Sequence, residues 1–224
     1  MLFGAPVVGY ALGEPRYVSN KPDAGAFALV DHQAAVPLLV SNDDWPGVVR
    51  AAGDLSADID RVAGLQPALF HAAADVHNPD AVLIGTIGRS ALIDDLVRRH
   101  KLDVSGIAGK WETAVTTIVE HPMPGVRRAL VIAGSDKRGT IFAIYDLSEQ
   151  IGVSPWTWWA DVPVDHKDAL YVRSHYDGMT ITLPPDAPAA DEIALIICLA
   201  NRGRLNARVG GLAAKDVVGK DGLR

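Results

Sequence analysis

The chain has 224 residues, 49% of them hydrophobic and 21% charged, and a net charge of −6. That size suits one sizeable core with a short appendage and is too small for a multidomain enzyme. The acidic balance, without any block of Lys or Arg, argues against nucleic acid or an anionic membrane as partner, and the single cysteine, Cys198, excludes an internal disulfide framework and a cysteine-rich metal site.

The first stretch, Met1 to Gly13, is apolar but lacks the Lys or Arg that precedes the apolar part of a signal peptide, so it reads as a core strand or a truncated start. Ala26-Phe27-Ala28-Leu29-Val30 and Ala35-Val36-Pro37-Leu38-Leu39-Val40 read as strands joined by the polar turn Asp31-His32-Gln33. A helix is predicted from near Asp44, with Pro46 in its first turn and Gly64 at its end. Its apolar positions Val48, Ala52, Leu55, Ile59 and Val62 leave Arg50, Asp54, Asp58 and Arg61 on other faces, the pattern of a one-sided surface helix. A short strand follows at Ala68-Leu69-Phe70, then a loop through His77-Asn78-Pro79, then the apolar strand Ala81-Val82-Leu83-Ile84.

The turn Gly85-Thr86-Ile87-Gly88-Arg89-Ser90 opens a second predicted helix, Ala91 to His100, with Ser90 as its cap and Arg98, Arg99 and Lys101 at the end that favours cations. Alternation over residues 113–120 predicts a strand, and Arg128 to Ala133 another. A third helix, Gly139 to Ile151, is apolar nearly all round and so is expected to be buried on more than one side before Gly152 and Pro155 end it. Alternation of short apolar strands with helices gives an α/β (α+β) layered domain with a mixed sheet and flanking helices. The proline-rich stretch 182–188 marks a boundary; beyond it, 191–201 reads as an apolar helix and the Gly-, Lys- and Asp-rich end as poorly ordered. The organisation is thus an N-terminal segment over 1–24, the α/β domain over 25–182, and a linker, helix and tail over 183–224.

Two strand-to-helix turns are placed to carry chemistry. At Gly85 to Ser90 the residues fit either a helix start that welcomes an anion or simply a tight turn that requires small side chains; neither the dinucleotide fingerprint nor the P-loop is present. At Gly134 to Gly139, Lys137 and Arg138 occupy the first turn of a helix, where cations are unfavourable by a few tenths to about 1 kcal/mol. A compensating negative group is expected: Asp136 beside them, a carboxylate of an adjoining domain, or that of an acidic sugar. Three of the five tryptophans, Trp156, Trp158 and Trp159, lie within four residues of one another and call for a covering partner or a flat ligand. The candidate substrate-binding or interdomain residues are therefore Asp136, Lys137, Arg138, Trp156, Trp158, Trp159 and Asp161, with no cofactor, metal or catalytic group among them. His71, Asp75 and His77 have a spacing that could hold a metal, but they lie in a loop with no fourth ligand and read as ordinary loop residues.

Several strings, taken together and in order, resemble the N-terminal domain of glycoside hydrolase family 115, the xylan α-glucuronidases. They are Ile84-Gly85-Thr86-Ile87-Gly88, Lys101 to Gly106, Gly109-Lys110-Trp111-Glu112, the Gly134 to Gly139 turn, Tyr145 to Trp156, and Trp158 to Val164. The resemblance covers roughly residues 25 to 172, and the segment after it looks unrelated. It implies an accessory domain that supports a (β/α)₈ barrel in an inverting hydrolase, one that removes (4-O-methyl)-glucuronic acid from xylan. The barrel, which needs about 250 residues, would carry the catalytic acid and base. On that reading the chain is an N-terminal fragment without catalytic carboxylates, its partners are the barrel and glucuronoxylan, and the parent is a secreted or periplasmic enzyme, often a homodimer. The alternative is a freestanding carbohydrate-binding or interaction module that uses the Trp156–Trp159 cluster.

Overall fold

The structure is a computed structural model that describes residues 16–31, 33–157, 162–177, 179–181 and 207–209. Its centre is a six-stranded sheet in the order β10-β7-β8-β6-β4-β5. These strands are β4 (Leu38–Val40), β5 (Leu69–Phe70), β6 (Asp80–Thr86), β7 (Ala114–Met123), β8 (Val126–Gly134) and β10 (His175–Asp177). β5, β4, β6 and β8 are parallel; β7 pairs antiparallel with β8, and β10 pairs antiparallel with β7. The sheet is therefore mixed, as the alternation of elements predicts. A smaller antiparallel sheet, in the order β1-β9-β2-β3, is built from Val18–Ser19, Leu170–Val172, Phe27–Asp31 and Ala34–Ala35. It reaches back ahead of residue 25, because Tyr17 is buried and its hydroxyl donates to Asp146 at 2.6 Å.

The run 35–40, expected as one strand, is two. Pro37 has no N–H to give to a ladder, and the chain changes sheets there: Ala34–Ala35 pairs with β2, whereas Leu38–Val40 enters the large sheet. The Pro37 carbonyl still accepts from the Val82 amide at 2.9 Å.

Helices α1 (Pro46–Ala63) and α3 (Lys137–Ile151) lie on one face of the large sheet with the small sheet, and α2 (Ala91–Arg98) lies on the other. Period-two alternation assigns the strand residues. Val82, Ile84, Leu130 and Ile132 point to the α1–α3 face, and Leu83, Val131 and Ala133 point to the α2 face. Each fully buried Leu or Ile contributes roughly 1.5–3 kcal/mol, so the two clusters hold the sheet from both sides. All five apolar positions predicted for α1 are fully buried, and Gly64 ends the helix in the left-handed conformation (φ 67°). The one-sided reading of α1 needs correction. α3 packs along its flank, so Ala51 and Asp58 are buried too, Asp58 at 8% exposure in an ion pair with Arg61, and Ser56 is buried on the other flank with its hydroxyl donating to the Pro67 carbonyl at 2.9 Å. Burial pushes the Asp58 carboxyl above its usual range. α3 is buried as expected on several sides; only Lys137, Arg138 and Tyr145 of its residues are exposed.

Beyond the large sheet, β11 (Met179–Ile181) pairs in parallel with β12 (Ala207–Val209). The helix expected over 191–201 lies outside the described residues. No helix among the described residues is long and apolar enough to cross a membrane.

Candidate functional site

Parallel strands deliver their carboxyl ends, and the loops that follow, to one edge of the sheet. Here the edge gathers the loop after β4 (residues 41–45), the turn after β6 (87–90), the turn after β8 (135–136) and, because β7 is antiparallel, the residues just before β7, Trp111 to Thr113.

The β6 turn is closed on itself and its neighbours. The Thr86 amide donates to Asp44 Oδ2 (2.7 Å), Ile87 to the Gly134 carbonyl (3.0 Å), Gly88 to Asp94 Oδ1 (2.8 Å), and both Arg89 (3.1 Å) and Ser90 (2.8 Å) to the Thr86 carbonyl. Every backbone donor from Thr86 to Ser90 is occupied, so of the two readings of this turn the structure selects the tight turn. Gly85 is needed because a Cβ there would lie 2.5 Å from both Cβ and Oγ of Ser90. The expected cap is not made: the Ser90 hydroxyl is buried without a hydrogen-bond partner, packed against Gly85. Asp94, one turn in, takes the free Gly88 amide instead.

The β8 turn is organised around Asp136, the N-cap of α3. One carboxylate oxygen accepts from the Gly139 amide (2.8 Å), and the other accepts from the Glu112 amide (2.8 Å) and so ties the loop before β7 to the helix start. Ser135 reinforces the tie: its amide donates to the Thr113 carbonyl (2.8 Å), and its hydroxyl accepts from the Thr113 amide (3.1 Å). A Cβ on Gly139 would collide with the Thr113 carbonyl, and one on Gly134 with the backbone nitrogen and hydroxyl of Thr140. Thr140 in turn shares a 2.9 Å hydrogen bond with Thr86, which joins the two turns.

Lys137 and Arg138 point outward from this frame. Arg138 pairs with Glu112 at 2.7 Å and lies over the rings of Trp111 (5.6 Å) and Phe142 (5.5 Å). Glu112 is 0% exposed and adopts a left-handed backbone (φ 50°), an arrangement that costs of order 1 kcal/mol for a non-glycine residue. Neither of its carboxylate oxygens receives a well-directed hydrogen bond. Burial raises its pKa, and the Arg138 charge pulls the other way. The negative group opposite Arg138 is thus a carboxylate of the same domain, brought close from 26 positions earlier in the chain.

Lys137 and Arg89 meet at a different ring. The Arg89 guanidinium lies 4.8 Å and the Lys137 ammonium 6.0 Å from the centroid of Trp45, whose side chain is 41% exposed.

Of the residues singled out from sequence, the structure brings Asp136, Lys137 and Arg138 into one turn. Trp156 is 63% exposed and follows the far end of α3. Thirteen helical steps at 1.5 Å each separate that end from Arg138 by roughly 20 Å, and no described contact joins the two. Trp158, Trp159 and Asp161 lie outside the described residues. Beside Phe142, the aromatic groups at the turn are Trp45 and Trp111, which sequence reasoning missed together with Glu112 and Arg89. The signal for them was position: each falls within five residues of a strand end on the same sheet edge. Among the described residues no three His, Cys, Asp or Glu side chains converge as a metal site. His71 Nδ1 instead contacts the Val40 carbonyl at 3.0 Å.

Comparison with known proteins points in two directions. A family profile described as "Amino acid synthesis" (AA_synth) matches residues 101–210, just under half of the chain. Among solved structures, a family GH115 4-O-methyl-α-glucuronidase with specificity for decorated arabinogalactans is 27% identical, with a TM-score of 0.53. The match covers 67% of this chain and 18% of the glucuronidase. No curated protein matches. The chain therefore has a GH115-like fold and is related to a domain of a glycoside hydrolase, and it spans under a fifth of that enzyme's length.

Proposed function

We propose that the chain is the N-terminal part of an α-glucuronidase resembling family 115, a domain that supports a catalytic barrel acting on (4-O-methyl)-glucuronic acid side chains of xylan. The observation that carries this reading is the 27% identity to a glucuronidase over two-thirds of the chain. The geometry is consistent with a supporting role. At the strand edge the carboxylates are committed to the frame: Asp136 and Asp44 accept backbone amides, and Glu112 pairs with Arg138. An inverting hydrolase needs two carboxyl groups about 6.5–9.5 Å apart across the glycosidic bond, and these residues are not free to serve as that pair.

Two measurements test the proposal. Incubated with glucuronoxylan, the purified chain should release no glucuronic acid; turnover by a preparation free of contaminating hydrolase overturns the supporting role. Added to the solved glucuronidase from which the matching N-terminal domain has been deleted, the chain should bind and restore activity. Failure to form a complex with a folded, deleted enzyme counts against the proposal.

A second reading is favoured by one observation, the amino acid synthesis profile. It runs across the expected boundary at 182–188 and takes in β11 and β12. Under that reading the chain has no affinity for the deleted glucuronidase, so the same experiment separates the two.

A further inference from the structure

The large sheet has a topological switch point. The chain leaves β4 for α1 on one face of the sheet and leaves β6, the neighbouring strand, for α2 on the other face. Loops that diverge in this way open a crevice outside the carboxyl ends of the two strands, the place where open α/β sheets bind ligands. Trp45 stands on the β4 side of that crevice and Arg89 on the β6 side, with Lys137 reaching in from the next turn.

Two cations at this crevice stand without an ion-pair partner among the described residues. On this acidic chain, Arg61, Arg98, Arg99, Arg127, Arg128, Arg138 and Arg173 all have carboxylate partners, but no carboxylate among the described residues pairs with Arg89 or Lys137. Of the acids in the surrounding loops, Asp44 accepts from the Trp45 and Thr86 amides, Asp94 from Gly88, and Asp136 from Glu112 and Gly139, while Asp43 is exposed and pairs with neither cation. Two like charges held around a single indole repel one another, and the ring face offsets this only in part. A bound anion would remove the repulsion and make charge-assisted hydrogen bonds with both cations.

We infer that the crevice between the ends of β4 and β6 is an oxyanion-binding site, in which Arg89 and Lys137 take a carboxylate or phosphate group beside the Trp45 indole. Because the amides of the β6 turn are all occupied, affinity comes from side chains and falls with added salt. The inference stands on these charges and does not require the proposed function.

The test follows the indole N–H signal of Trp45, assigned by its loss in Trp45→Phe, while the intact chain is titrated with inorganic phosphate, glucuronate or glucose. Phosphate, glucuronate or both should shift the signal with an affinity of about 1 mM, and glucose should not. A shift by phosphate alone identifies a general anion site; a shift by glucuronate alone identifies one that also reads a sugar ring. Arg89→Gln and Lys137→Gln should each weaken binding about tenfold while melting as the parent does, since both side chains are exposed. No shift with either anion, an equal shift with glucose, or unchanged binding in both variants overturns the inference. The deletion-rescue experiment depends on none of these outcomes, so the two readings fail separately.

Discussion

The two strand-to-helix turns at the sheet edge look alike in sequence: each is a glycine at a strand end, a few polar residues, then a helix. They are built differently. The β6 turn consumes all its amides, three of them within the turn and its helix, on Thr86 and Asp94, and two on its neighbours, on Asp44 and Gly134. The β8 turn is held from outside, by Asp136 reaching to Glu112 and by Ser135 reaching to Thr113. A turn whose amides are all spent offers only its side chains, whereas a turn whose side chains tie a neighbouring loop fixes the geometry of both. The loop before β7 thereby acquires a buried Glu112 and a half-buried Trp111 opposite Arg138.

Substitutions that add bulk separate the turns most strongly. Gly134→Ala should cost about 3 kcal/mol in chemical denaturation, because the new methyl meets the backbone of Thr140, which cannot rotate away. Gly88→Ala, at φ 73° with open space around it, should cost only about 1 kcal/mol. Equal losses would show that the β8 turn relaxes as easily as the β6 turn.

Removing the acid from each turn comes next. Asp136→Ala should cost about 2 kcal/mol, at the upper end for a lost cap, since two amides lose their acceptor. Asp94→Ala should cost about 1 kcal/mol or less, since Asp94 serves one amide at an exposed position.

The Glu112–Arg138 pair sharpens the comparison through pH. Glu112 is raised above its usual 4.5, chiefly by burial, so the folded protein holds this proton more tightly than the unfolded chain does. Stability from this site is therefore greatest below pH 4.5 and declines as pH rises through the folded value. Glu112→Gln should flatten that decline. Arg138→Met, which leaves the carboxylate unpaired, should steepen it and cost about 1–2 kcal/mol at neutral pH, less than for a fully buried pair because Arg138 is half exposed. A pH–stability profile unchanged in both variants would mean that Glu112 does not titrate differently on folding.

The smallest effect is expected far from both turns. Trp156→Ala should change stability by no more than about 0.5 kcal/mol, given its exposure beyond the end of α3. A larger loss would show that this indole packs against something in the isolated chain.

The positions of α1 and α3 and the mixed character of the sheet were legible in the sequence, because apolar periodicity records which side of each element faces a core. The resemblance in its short motifs likewise anticipated the fold that the solved glucuronidase shares. Local patterning also placed Asp136, Lys137 and Arg138 in one turn, since residues adjacent in sequence stay adjacent in space. It was silent on partners. That Glu112 faces Arg138, that Arg89 and Lys137 meet at Trp45, and that Trp156 stands at the other end of a helix are consequences of strand order. Only the folded sheet brings the ends of β4, β6 and β8 and the start of β7 to one edge, and a one-dimensional pattern carries no record of which distant loops that edge will gather.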